Sequence, residues 1–260
     1  MNYFEKLEKN PYEDLRWNIP ERKQGIVNVI GGNAGRFRDE VKVAEYLGAN
    51  YPIEVVNLVL PDALREKLPA LDNLRFMKST ESGSFADGEE LATVFTGAGY
   101  NLLLGDLSRN AVTGRAIASA VQNAEKPLLL TRDSVDVVAD NMSDMLLMNE
   151  NLVFFASIAQ LAKLFRSVYY PKMLLMSQSL VQIAEALHKF TLSYPIGLVT
   201  LHNEQVLVAK DGTIKAVPLE ATGYSPIMFW MGELAAKIVA MNLYSPGKFI
   251  EATVCGVEHE

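Results

Sequence analysis

The sequence predicts an α/β protein, a three-layer α/β/α sandwich around a mostly parallel sheet of about eight strands. Three observations carry that expectation. Leu102-Leu103-Leu104 and Leu128-Leu129-Leu130 are short apolar runs without alternation, the pattern of strands buried on both faces. Between them Ala111, Val112, Ile117, Ala118 and Val121 recur at near-helical spacing, so the pair reads as a right-handed parallel βαβ crossover. A third apolar strand, Gly25–Ile30, runs directly into Gly31-Gly32-Asn33-Ala34-Gly35, a turn suited to entering a helix.

In chain order, residues 1–24 are polar, carry Pro11 and Pro20, and read as a leader packed on a single domain spanning 25–260. After the first strand a helix is expected over Arg38–Leu47, then a strand over Pro52–Leu60, with Pro61-Asp62 opening a short helix. Asn73–Met77 reads as a short strand, Lys78–Asp87 as a loop, and Glu89–Thr96 as a helical turn or two. Beyond the central crossover, Leu152–Phe155 is a buried strand and Ser157–Phe165 its helix. Ser177–Leu192 is a helix with an apolar stripe at Leu180, Ile183, Ala184 and Leu187. Tyr194–Leu201, Gln205–Ala209 and Thr213–Val217 are strands, the last two joined by an Asp211-Gly212 hairpin turn. Ile227–Met241 and Pro246–Val257 close the chain as helices.

The bulk numbers narrow the function. A chain of 260 residues, 49% hydrophobic, 21% charged and with net charge -7 argues against a nucleic-acid role built on a basic surface. LVFFASIAQLAKLF and IMFWMGELAAKIVAM are each interrupted by polar residues before the roughly 18 needed to cross a membrane. The start MNYFEKLEKN has no signal-peptide character, and the lone Cys255 has no disulfide partner, so a soluble, cytoplasmic protein is expected. Tyr169, Tyr170, Met173, Leu174, Leu175 and Met176 form an apolar stretch without an obvious partner, which predicts a homo-oligomer.

Ligands of open α/β sheets collect at the carboxyl ends of the strands. Those ends here are Gly31–Arg38, Gly105–Asn110, Thr131–Asp133, Ala156–Gln160, His202-Asn203 and Thr222–Pro226. Amides around Gly31, Gly32 and Asn33, with Arg36 and Arg38, suit a phosphate; the same glycines also suit a tight turn for steric reasons alone. Asp106 and Asp133 are expected at adjacent strand ends, either as acid–base or metal–phosphate groups or as caps of the following helices. His202 is either a titrating group or a solvated turn residue. His188 and His259 show no metal-ligand spacing, Cys255 has no neighbouring base, and no G-x-S-x-G elbow exists. Met142, Met145, Met148, Met173 and Met176 read as apolar filler.

From about Trp17 onward the order of motifs resembles the ribokinase-like fold, and within it the ATP- or ADP-dependent NAD(P)H-hydrate dehydratase (carbohydrate-kinase-like) domain. IVNVIGGNAGRF is similar to that family's first strand and Gly-Gly-Ser loop, and NLVLPDALREKLPAL to its second strand and Pro-led helix. NLLLGDLSRN stands at its Gly-Pro-Gly loop, and PLLLTRDSVDVV at its Asp-Ala-Asp-Ala strand, with Asp133 retained. YPIGLVTLHNEQVLVAKDG is similar to its strand-Lys-Gly-strand hairpin, with His202-Asn203 in place of Lys-Gly. LVFFASIAQLAKLF matches its Thr-Pro-His-Pro-Gly-Glu segment without the His or the Glu. The family's Gly-Thr-Gly-Asp, an anion hole followed by a catalytic base, is expected around Gly223–Met228, where Thr222, Gly223 and Ser225 remain but no Asp does.

The resemblance implies a nucleotide or phosphorylated ligand at the strand ends, with ATP, ADP or an NAD(P)H-type molecule as candidates and Mg2+ open. It also implies dehydratase or small-molecule kinase chemistry, slowed by about 10²–10⁴-fold if the carboxylate base is missing. The competing expectation is a non-catalytic binding or scaffold relative. A Rossmann-type NAD-binding oxidoreductase, suggested by GGNAG, ranks lower because the second strand, LVLP, closes without an acidic residue. The expected cleft gathers Gly31, Gly32, Asn33, Gly105, Asp133, His202, Asn203, Thr222 and Gly223.

Overall fold

The computed structural model describes residues 3–68, 73–141 and 143–258; Met142 and His259 lie outside the described residues. The elements run β1 (Phe4–Lys6), β2 (Ile26–Gly31), α1 (Arg38–Asn50), β3 (Val55–Pro61), β4 (Leu74–Met77), α2 (Gly88–Thr96) and β5 (Tyr100–Gly105). They continue α3 (Ala111–Gln122), β6 (Leu128–Thr131), α4 (Asp133–Asp140), α5 (Asp144–Leu147), β7 (Leu152–Phe155), α6 (Ile158–Ser167) and α7 (Leu180–Ser193). The chain ends with β8 (Gly197–His202), β9 (Gln205–Lys210), β10 (Thr213–Pro218), α8 (Glu233–Tyr244) and α9 (Phe249–Val257).

Ten strands form one sheet in the order β1-β10-β9-β8-β7-β6-β5-β2-β3-β4, two more than expected. Part of the excess comes from the leader, where Phe4–Lys6 pairs in parallel with Ile214–Ala216 at the edge. Three residues reading FEK carry no strand signal of their own; the exposed edge of β10 recruits them. Among the described residues, only β9 runs antiparallel to its neighbours.

The apolar runs divide between two cores as buried strands should. Leu103, Leu128, Leu130, Leu152 and Phe154 face the layer that holds α2, α3, α4, α6 and α7. Leu102, Leu104, Leu129, Val153 and Phe155 face α1, α8 and α9. Burying one such side chain is worth about 1.5–3 kcal/mol, so this two-faced pattern is the main stabilising term of the sheet. The central strands also carry an asparagine ladder that the apolar pattern hides. Asn57 donates to Asn28, and Asn28 donates to Asn101, both at 2.8 Å, with Asn101 further bonded to the Phe95 carbonyl at 3.0 Å. Three buried amides satisfied across β3, β2 and β5 penalise any slip of register, which would leave them unpaired.

Helix starts follow local chemistry. Asn110 caps α3, Asp87 caps α2, and capping boxes open α6 (Ser157/Gln160) and α7 (Ser179/Gln182). The helix expected from Ile227 begins instead at Glu233. Gly232 has φ +98°, and a Cβ there would lie 2.8 Å from Leu104 and 3.0 Å from Val43, so the chain turns at this residue before the helix can start.

Candidate ligand-binding site

The strand order reverses at β2. From there the chain moves outward to β3 and β4, then returns to β5 on the other side. Such a switch point opens a crevice outside the carboxyl ends of the two diverging strands. Here it is a hollow of about 580 Å³ lined by Asn33, Gly35, Arg36, Asp106, Leu107, Arg109, Arg132 and Asp133.

Each wall is locally determined. After β2, Asn33 folds the turn onto itself: its Oδ1 accepts from the amides of Gly35 (2.8 Å) and Arg36 (3.2 Å), and its Nδ2 donates to the Asp106 carbonyl (2.6 Å). Those two amides are therefore used inside the turn, and the anion cradle expected at Asn33–Arg36 is not built from them. The guanidiniums of Arg36 and Arg109 are exposed and have no ion-pair partner among the described residues. After β5, Gly105 (φ +131°) lets the Asp133 carboxylate approach; a Cβ at 105 would collide with its Oδ1.

Arg132 ties the walls together. It sits at φ +56°, a conformation that costs a non-glycine residue about 1–3 kcal/mol and persists where surroundings enforce it. Its Nη2 pairs with Asp106 at 3.2 Å, and its Nη1 lies 2.9 Å from Asp39 without hydrogen-bond alignment. Its carbonyl accepts from Gln160 at 2.6 Å. Asp133 is the first residue of α4; its Oδ2 accepts from the Leu107 amide at 3.1 Å, while Oδ1 is buried without a partner. Burial, then the neighbouring Asp106, push the Asp133 carboxyl above the usual carboxylate range. Asp106, expected as a helix cap, instead pairs with Arg132, and Asn110 takes the capping role.

Sequence reasoning did not single out Arg109, Arg132 or Glu40. Arg132 hides between Thr131 and Asp133 in a tight turn. Glu40 lies in the first turn of α1, where an acidic residue normally faces solvent, yet it is fully buried with both carboxylate oxygens unpartnered. Burial first, and Asp106 second, push its pKa up to about 8. The period of α1 alone, which turns Glu40 inward together with Val43 and Leu47, was the available signal.

The remaining expected site residues stand apart from this hollow. His202 is buried rather than solvated, its Nε2 donating to the Gln178 carbonyl at 2.8 Å and its Nδ1 unpartnered. Asn203 (φ +47°) and Glu204 (φ +57°) form the two-residue turn between β8 and β9. Thr222 and Gly223 close a short 3-10 helix; the Thr222 hydroxyl donates to Leu219 and accepts from the Tyr224 amide, and Ser225 accepts from the Met228 amide. The helix start that the resemblance puts beside Gly223 is at Gly232-Glu233, and Glu233 is an acidic residue in that position. Its carboxylate accepts a hydrogen bond from the Tyr224 hydroxyl. Asp62, directly after LVLP, is also acidic and is held by the Ser79 amide and hydroxyl. Among the described residues, no three His, Cys, Asp or Glu side chains are arranged to hold a metal ion.

No protein-family model matches the sequence, and no curated protein does. Solved structures do match in fold. A ribokinase-like superfamily protein of Enterococcus faecalis superposes with a TM-score of 0.68 over 99% of this chain and 86% of its own, at 14% identity. The ADP/ATP-dependent NAD(P)H-hydrate dehydratase of Bacillus subtilis, co-crystallized with ATP/Mg2+ and soaked with CoA, gives 0.57 over 95% and 84%, at 12% identity. A hydroxyethylthiazole kinase protein of Pyrococcus horikoshii gives 0.53 over 94% and 80%, at 14% identity. At these identities the likeness is one of fold, and the fold is ribokinase-like.

Proposed function

We propose that the chain binds a nucleotide or another phosphorylated small molecule in the hollow at the switch point. The observation that carries this is the pair of exposed guanidiniums, Arg36 and Arg109, without ion-pair partners among the described residues and lining a crevice at the carboxyl ends of β2 and β5. Arginine forks match phosphate oxygens, and the ion-paired Arg132 adds a third positive group at the floor. ATP, ADP and NAD(P)H-type molecules all present such oxygens. The described residues form no cage for Mg2+, so no step is assigned to it.

Turnover is proposed to be slow or absent. The acidic groups already have partners: Asp106 pairs with Arg132, one oxygen of Asp133 accepts from the Leu107 amide, and Glu233, at the start of α8, accepts from the Tyr224 hydroxyl. Glu40 is protonated at neutral pH and shielded from solvent. A second proposal, surviving catalysis, draws on Asp133, whose carboxyl is held above the usual carboxylate range by burial and by Asp106 and keeps one oxygen without a partner. The test is a thermal-shift screen with ATP, ADP and NADH, followed by turnover of NADH hydrate with ATP or ADP. Stabilisation by a phosphorylated ligand with background turnover supports the binding protein. Robust turnover that vanishes in Asp133→Asn or Glu233→Gln supports an enzyme, and no stabilisation by any of them overturns both.

A homo-oligomer is proposed on separate grounds. Tyr169, Met173, Leu175 and Met176 are exposed, whereas Leu174 is buried and Tyr170 packs on the core. Light scattering at micromolar concentration gives a multiple of 28.8 kDa if they form an interface, and 28.8 kDa if they do not.

A further inference from the structure

A second cavity lies at the other end of the sheet. It measures about 730 Å³ and opens where β5, β6 and β7 begin and antiparallel β9 ends, so it shares no wall with the hollow at the switch point. A volume in the range of small-molecule pockets, with a few convergent polar groups, is the ordinary signature of a ligand site.

Its chemistry is specific. Lys210, at the end of β9, is half-buried, and burial holds its ammonium below the usual lysine range. Its Nζ donates to the Glu150 carbonyl at 2.9 Å and lies 5.5 Å from the centre of the Phe249 ring. No carboxylate of the described residues comes within ion-pair distance of it, unlike neighbouring Lys215, which is paired with Glu5. Burial outweighs the attraction of the Asp211 and Glu150 carboxylates, which stand beyond ion-pair distance, so the ammonium is short of direct partners and favours an incoming anion. The rim limits the charge that anion can carry, because Glu150, Asp211 and Glu251 also line the cavity. Each negative charge on a ligand meets those three carboxylates against one unpaired ammonium, so a monoanion is disfavoured less than a dianion. Phe249, Tyr12 and Tyr100 supply aromatic wall.

We propose that this cavity is a second ligand site, taking a monoanionic carboxylate carried on a flat aromatic body, with Lys210 holding the carboxylate and Phe249 the ring. The proposal is independent of the phosphate-binding reading of the switch-point hollow.

The test uses the full chain and three probes: 2-naphthoate, its neutral amide 2-naphthamide, and the dianion 2-naphthyl phosphate. Backbone NMR perturbations report the place, and titrations the affinity. Expected is 2-naphthoate binding that shifts the amides of Gly247, Phe249 and Ile250. The amide and the phosphate should bind at least about tenfold more weakly, and Lys210→Met should lower naphthoate affinity by about tenfold or more while Arg109→Ala leaves it unchanged. Lys210→Arg, which keeps the charge, retains binding and guards against a merely unfolded Met variant. Shifts confined to the Asn33–Arg36 turn, equal affinity for acid and amide, or indifference to Lys210→Met would each overturn the assignment.

Discussion

The carboxyl ends of the strands fall into two halves on either side of β7. On one side, the turns after β2, β5 and β6 are polar and cross-linked: Asn33 to Asp106, Asp106 to Arg132, Arg132 to Asp39. Unpaired arginines and buried carboxyls accumulate there. On the other side, β8 closes in a two-residue hairpin, and the chain beyond β10 passes through 3-10 turns anchored by Phe229 and by Trp230 stacked on Phe155. Its hydroxyls and amides bond locally. The contrast shows that convergence needs parallel neighbours that each end in a turn toward the same crevice. An antiparallel hairpin returns its chain into the sheet and spends its polar groups on the turn itself.

The largest way to sharpen that contrast is pH. Glu40 has a folded-state pKa near 8, above its unfolded value, so the folded chain holds a proton that the unfolded chain releases. Its contribution to stability is therefore full below about pH 4.5 and is lost as pH rises toward about 8, a change on the order of 5 kcal/mol. Glu40→Gln, measured by urea denaturation across that range, should flatten the profile; an unchanged slope would show that Glu40 is ionised in the fold.

Next in size is the turn after β5. Gly105→Ala forces a Cβ onto the Asp133 carboxylate at a positive φ, and should destabilise by about 3 kcal/mol while disturbing ligand binding. A variant of wild-type stability would remove the claim that this close approach builds the site. The smallest effect belongs to the other half. Asn203 and Glu204 both have positive φ, so Glu204→Gly should stabilise by about 0.5–1 kcal/mol and leave binding untouched, as checked by urea denaturation and ligand titration. Altered ligand affinity there would place the hairpin in the site after all.

These differences also explain what the sequence could disclose. The βαβ crossover at Leu102–Leu130 was legible because burial on both faces suppresses alternation, and Asp106 and Asp133 because they stand at strand ends. Glu40 and Arg132 were not. Burial of the first had only the period of α1 to announce it, and the reach of the second depends on a strained turn with no local signature. The helix from Ile227 was misplaced because the apolar run to Met231 continues past Pro226 without a visible stop. Only the packing of Gly232 against Leu104 and Val43 sets its true start. That shift of the helix start is also why Glu233 was overlooked as the acidic residue there.

The central claim is that a phosphorylated ligand is held by Arg36 and Arg109 at the switch point. Calorimetric titration of the ligand that gives the largest thermal shift, on the wild type and on an Arg36→Ala/Arg109→Ala variant, tests it most directly. Both residues are exposed and have no ion-pair partner among the described residues, so the variant should keep its thermal stability. Each lost charge-assisted bond is worth about 1.5–3 kcal/mol, so affinity should fall by at least about a hundredfold. Wild-type affinity in that variant would contradict the account.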